Sequence, residues 1–222
     1  MDWITLLLFI HLLSLVFWLG TDIGVFVLGK FAQNSTYTVD QRLLLLKVAL
    51  ILDVFPRICM VVIVPTGYQL AVHIGAISPG QYVSAAVWLF SVIWLAIVVT
   101  GMAHGEKPLG LRAKAIQKWI HYFLLILGLW AGLGSLYSGA PIGMHWLAVK
   151  VLFYVLIIVF VLFLERVFNP VAEAFMKLAI EGSSPDLESK IRNGMDRTYV
   201  WVLAIYACVV FSAYFGISQP QF

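Results

Sequence analysis

The chain has 222 residues, 62% of them hydrophobic and only 11% charged, whereas soluble domains run near half apolar and a quarter charged. This excludes a soluble globular protein and reads as one all-α integral membrane domain over 1–222. The formal charge of +3 suits anionic lipid headgroups and gives no reason to expect nucleic acid as a partner.

Apolar runs separated by short polar joints predict about six spans, near 3–29, 54–76, 81–104, 115–138, 142–165 and 197–217. Asp2 stands where a signal peptide would carry basic residues, and the first apolar run is too long for one, so this span is expected to stay in the protein. Span one buries a stripe at helical spacing: His11, Ser14, Trp18, Thr21 and Asp22. An ionisable side chain at that depth is costly, which makes His11 a functional candidate by default and predicts that the stripe faces other helices.

Between spans one and two, Thr38 and Gln41 read as a capping box that opens a leucine-rich helix over 39–52, lying in the interface or continuing the span. Asp53 and Arg57 then sit one turn apart, where each offsets the other's charge, with Pro56 in the first turn of span two. Pro65-Thr66-Gly67 predicts a kink or local unwinding, and Thr66, Gln69 and His73 share a face. Span three ends at His104. Span four places His121 in its first two turns, with Gly128, Gly132 and Ser135 on the same face, a pattern that favours close helix packing over a macrocycle bed. Span five opens with His145-Trp146 and puts Lys150 about two turns below the surface, on one face with Trp146 and Tyr154. Beyond it, the chain reads as an extension of span five, a turn at Gly182-Ser183-Ser184-Pro185, and a short amphipathic helix entering span six. Tryptophans 3, 119, 146 and 201 fall near the interfaces, as an aromatic belt requires.

Lys and Arg crowd the joints after spans one, three and five, while 74–81 and 138–145 carry none. The positive-inside rule makes the basic joints cytoplasmic and turns both termini outward. Cys59 and Cys208 lie within spans without metal-site spacing and read as small buried thiols.

With this orientation His11, His73 and His145 gather toward the outer side, and His104 and His121 toward the inner side. Imidazoles facing across a bundle are what a b-type haem needs, with a basic group for its propionates. His11 is the expected first ligand and His73 or His145 the second. Lys150 is near enough for the propionates and Arg57 is on the wrong side for them. His104 and His121 could carry a second haem or simply snorkel at the interface. No Cys-x-x-Cys-His is present, so any haem is non-covalent, and there is no glycine-rich phosphate loop or serine-nucleophile elbow.

The segment His11-Leu12-Leu13-Ser14-Leu15-Val16-Phe17-Trp18-Leu19-Gly20 resembles the first span of the bacterial oxygen-independent protoporphyrinogen oxidases and of the related copper-resistance D type membrane proteins. Trp146-Leu147-Ala148-Val149-Lys150-Val151 is similar to the same family's Trp-Leu-x-x-Lys-Leu segment, and Arg57 and Pro65 to its second span with altered spacing. Arg192-Asn193-Gly194 faintly resembles an Arg-x-x-Asn-Glu motif in the last span. The resemblance implies b-haem binding through His11, beside Trp18, with Lys150 and Arg57 near an acidic group of haem or porphyrin. Two departures separate this chain from the oxidases: an added hairpin, spans three and four, and Gly20-Thr21-Asp22 where they carry Leu-Phe-Tyr.

Four functions are compatible with these residues. The first is a b-type cytochrome of a bacterial cytoplasmic membrane, passing electrons between quinone and a periplasmic partner. The others are a porphyrinogen-oxidising enzyme, a copper transporter using Met144, His145, His11 and Cys59, and a non-redox subunit of a larger respiratory complex or homo-oligomer.

Overall fold

The computed structural model describes residues 2–220 and is all-helical throughout them. Helix α1 spans Trp3–Ala32, α2 Val39–Leu52, α3 Val54–His73, α4 Val83–His104, α5 Pro108–Ser138, α6 His145–Glu181 and α7 Pro185–Ser218. Six helical stretches, with α2 and α3 taken as one, are long and apolar enough to cross a membrane. The chain is a multi-pass membrane protein, compatible with a lipid bilayer as its surroundings.

Local chemistry sets the helix ends. The Asp2 carboxylate caps α1 by accepting from the Thr5 N–H at 2.7 Å, and hydrogen bonding to Thr5 holds its carboxyl below the usual range. Thr38 and Gln41 form the expected reciprocal capping box on α2. Asp53 alone separates α2 from α3, ending one and opening the other. Of the two courses expected for α2, the structure takes the second: it runs back along the last turns of α1 and continues into α3. Ser184 caps α7 with Pro185 in its first turn, and α6 extends unbroken to Glu181, as the joint after span five predicts. Helix α3 stays helical through Pro65, so the unwinding expected there does not occur.

Neighbours in sequence pack together, α6 on α7, α1 on α3, α5 on α6 and α4 on α5, giving an up-and-down bundle with two cores. The first lies within the crossing helices and includes Trp18, Met60, Val61, Trp94, Ile158 and Ile205. The second lies at the end that carries the basic joints. There α6 and α7, about 55 and 51 Å long at 1.5 Å per residue, outrun a hydrocarbon core of about 30 Å. Ala32, Phe175, Leu178, Ile191 and Met195 are among the residues that fill it. Arg42 staples this end. It is 1% exposed, donates through Nε to the Ala32 carbonyl at 2.7 Å, and forms a two-point pair with Glu188 at 2.7 and 3.0 Å. Its guanidinium also lies over the Phe175 ring, 5.8 Å from the centroid.

The glycine face of α5 is a packing face. A side chain at Gly128 would run into Val155, and one at Gly132 into Leu152, both on α6. Trp3 and Trp119 are exposed as belt residues should be. Trp146 departs from that expectation. It is 7% exposed because its face of α6 turns into the bundle beside Lys150.

Candidate functional site

The half of the bundle opposite the basic joints holds a half-open cavity of about 1170 Å³, lined by residues of α1 and α3–α7 and almost wholly apolar. Its polar groups are few, which is how a small-molecule site fixes orientation inside a greasy wall. His11, Tyr68, His73, Lys150 and Tyr154 all line it, and so does Trp18.

Sequence and packing together place His11. The first-span stripe faces inward as expected, with Ser14 and Trp18 buried, while Phe9, Leu12, Leu13 and Val16 face outward. This rotation sets the His11 ring against Pro65-Thr66-Gly67 of α3. Nδ1 lies 3.0 Å from the Thr66 Oγ1. That hydroxyl has one proton, and it already donates to the Val62 carbonyl at 2.8 Å. With the hydroxyl so engaged, Thr66 can accept from an Nδ1–H, and that tautomer leaves the Nε2 lone pair free. Gly67 makes the contact possible, since a Cβ there would stand 2.9 Å from the ring's Cε1. An imidazole oriented through Nδ1 with Nε2 unprotonated is the usual form of a metal-binding histidine.

Lys150 supplies the charge. No carboxylate pairs with it among the described residues. Its Nζ lies over the Trp146 ring, 5.9 Å from the centroid, and Gly216 of α7 leaves the space its end occupies. Tyr154, one turn further along α6, is tied by its hydroxyl to the Met60 carbonyl at 2.8 Å. Tyr68 is the residue that reading the sequence missed. It lines the cavity with a buried hydroxyl that has no partner, and its position beside Thr66-Gly67 was the signal that could have found it.

The remaining sequence candidates scatter. His73 lines the cavity at its mouth, seven residues and about 10 Å beyond Thr66 along α3. His145 is exposed at the start of α6 and is not part of the cavity lining. Arg57 pairs with Asp53 at 2.6 Å toward the basic end, outside the cavity, on the side the orientation gave it. His104 ends α4, with Nδ1 3.1 Å from the Thr100 carbonyl. His121 packs edge-on against Trp94, which lies ten residues and about 15 Å before His104 along α4, so His121 and His104 do not face each other. Cys59 and Cys208 are buried free thiols. Among the described residues no group of three or more His, Cys, Asp or Glu converges as a metal site. A single-imidazole site inside an apolar cavity is a different arrangement, and it is the one His11 offers. No family model, curated protein or solved structure matches the chain.

Proposed function

We propose that this is a b-type haem-binding protein of a bacterial cytoplasmic membrane that carries electrons between quinone and a redox partner on the outer side. The observation that carries the reading is the His11 imidazole, its Nδ1 3.0 Å from the Thr66 Oγ1, in the wall of a cavity larger than the roughly 300–1,000 Å³ of common ligand sites. In this reading His11 holds the iron and Gly67 and Thr66 set the ring plane. Lys150 takes a propionate carboxylate, Tyr68 donates a hydrogen bond, and the apolar wall excludes water. Of the two candidate second ligands, His73 lines the cavity and His145 does not. Bound haem would supply a one-electron iron couple whose potential follows from its ligand and its burial.

The test is the reduced-minus-oxidised absorption spectrum of the purified protein beside His11→Ala and His145→Ala. Loss of the Soret and α-bands in His11→Ala alone supports the assignment. Equal bands in all three proteins overturn it.

Porphyrinogen oxidation is the second reading, favoured by a cavity with room for a whole tetrapyrrole beside the unpaired Lys150. It predicts rescue of a bacterium lacking its own oxidase, and failure to rescue at full expression rejects it. Copper transport has less support. Met144 and His145 start α6, whereas Cys59 and Met60 lie level with Tyr154, about 13 Å further down.

A further inference from the structure

The crossing helices stand in a ring around the cavity, in the order α1, α3, α4, α5, α6, α7, and the ring closes where α7 meets α1. Of the neighbouring pairs in that ring, this one is packed least. Its contacts gather toward the basic end. The Lys30 Nζ stands 3.7 Å from the Asp196 carboxylate, Met195 and Tyr199 lie against Gly29, and Phe26 meets the rings of Tyr199 and Tyr206 at 4.7 and 6.4 Å. These contacts set the two helices antiparallel and fix their register. Counted from Lys30 and Asp196 at equal rise, His11 falls within one residue of Gly216, and Leu12 within one of Ala213.

The sequence explains why the pair parts above that end. The cavity face of α7 carries Ser212, Ala213 and Gly216 at helical spacing. Side chains this small give α1 no ridge to pack against. Leu8 and Leu12 of α1 and Ile217 of α7 line the cavity and are 46%, 47% and 82% exposed. They face the surroundings as well as the cavity, so its open side runs along this seam. The α4–α5 edge differs. Val83 and Trp130 line the cavity there and are also exposed, but Trp94 packs on His121 and Phe90 on Phe123 at 6.0 Å, ring against ring up to the cavity wall.

Depth decides what the seam opens into. Leu12 lies nine residues, about 14 Å, below Trp3 of the aromatic belt, near the middle of a hydrocarbon core of about 30 Å. Acyl chains meet the opening there, and water does not. Charge decides what stops inside. The end of Lys150 fills the space that Gly216 leaves, which puts the ammonium at the α7 edge of the seam and at the level of His11. A cation held at that depth is costly until an anion meets it.

We propose that the cavity is filled from the outer leaflet, sideways through the seam between α1 and α7, by a molecule with an apolar body and a carboxylate that comes to rest on Lys150. This deepens the reading above and rests on its cavity, not on its iron. The seam is the route in and out, and Lys150 is the stop.

The test uses iron-free protoporphyrin, dissolved in phosphatidylcholine vesicles that hold the full chain. Leu12→Cys with Ala213→Cys puts a thiol on each side of the seam, and a short cleavable bismaleimide ties them. Val83→Cys with Trp130→Cys, tied in the same way across α4 and α5, is the control. Wild type treated with the reagent is the blank, because Cys59 and Cys208 are buried. Tying the α1–α7 pair should slow both uptake and release by about tenfold or more and leave the amount bound at equilibrium unchanged. Cleaving the tie should restore both rates, which a misfolded chain would not do. Ala213→Trp, which needs no reagent, should slow both rates in the same sense. The dimethyl ester should enter as fast as the free acid and leave about tenfold faster; equal release rejects Lys150 as the stop. Wild-type rates in both the tied pair and Ala213→Trp overturn the proposal. So does equal slowing in the α4–α5 control, or a wild type that takes up no iron-free protoporphyrin. Haem bands in a protein indifferent to the tie would leave the haem reading without this route. A colourless protein that loads through the seam would leave the route without the haem.

Discussion

Gly67→Ala separates the His11 site from the fold. The new methyl would stand 2.9 Å from the His11 Cε1 and 3.5 Å from Nδ1, so the ring must retreat by about 0.5 Å to reach ordinary contact. The Nδ1–Thr66 distance would then grow from 3.0 Å to about 3.5 Å, past the range of a good hydrogen bond. Losing that bond costs about 0.5–1.5 kcal/mol. Because the bond orients a metal ligand, affinity for iron porphyrin should fall about 10–100-fold. Alanine in a helix interior is favoured over glycine by roughly 0.5–1 kcal/mol, so the apo-protein should unfold no earlier than the wild type. The assay is a haem titration of the detergent-solubilised apo-protein, followed in the Soret region and paired with its thermal melt. Gly20→Ala, where nothing lies within 4 Å, is the control and should bind as the wild type does. Wild-type affinity in Gly67→Ala, or an equal loss in Gly20→Ala, refutes the reasoning.

Removing Arg42 should be the most destabilising change at the basic end. Arg42→Met leaves the Ala32 carbonyl without its side-chain donor and Glu188 with only the Ser183 hydroxyl, and should cost about 3–5 kcal/mol, read as a lower midpoint of denaturation in mild detergent. The double variant Arg42→Met with Glu188→Leu should recover most of that loss, as apolar replacement of buried ion pairs often does. Lys150→Met should weaken binding of a porphyrin carrying free carboxylates and leave its dimethyl ester unaffected, which competition binding would resolve. Gly128→Val overpacks the α5–α6 contact against Val155 and should cost about 1–3 kcal/mol in a thermal melt.

The layout of crossings was legible because it depends on local quantities: run length, charge placement and caps. The inward stripe of α1, the capping box at Thr38 and the turn before Pro185 all follow from spacing within one segment. What spacing cannot give is which segments meet. His11 and Thr66 are 55 residues apart, and their contact depends on how α1 rotates against α3. Pro65-Thr66-Gly67 therefore read as a kink, when two of its residues hold and accommodate the imidazole. Trp146 read as a belt residue for the same reason, since depth along a helix says nothing about which way its face turns. Arg42 looked like one more basic residue in a polar joint until its partner, 146 positions away, came into view.

The most direct measurement is the spectrum of the wild-type protein, purified from haem-replete cells and reduced with dithionite, with a pyridine haemochrome assay for stoichiometry. An iron porphyrin gripped by the first-span imidazole requires Soret and α-bands and close to one haem b per chain. A folded, colourless protein that takes up no added haem would contradict it.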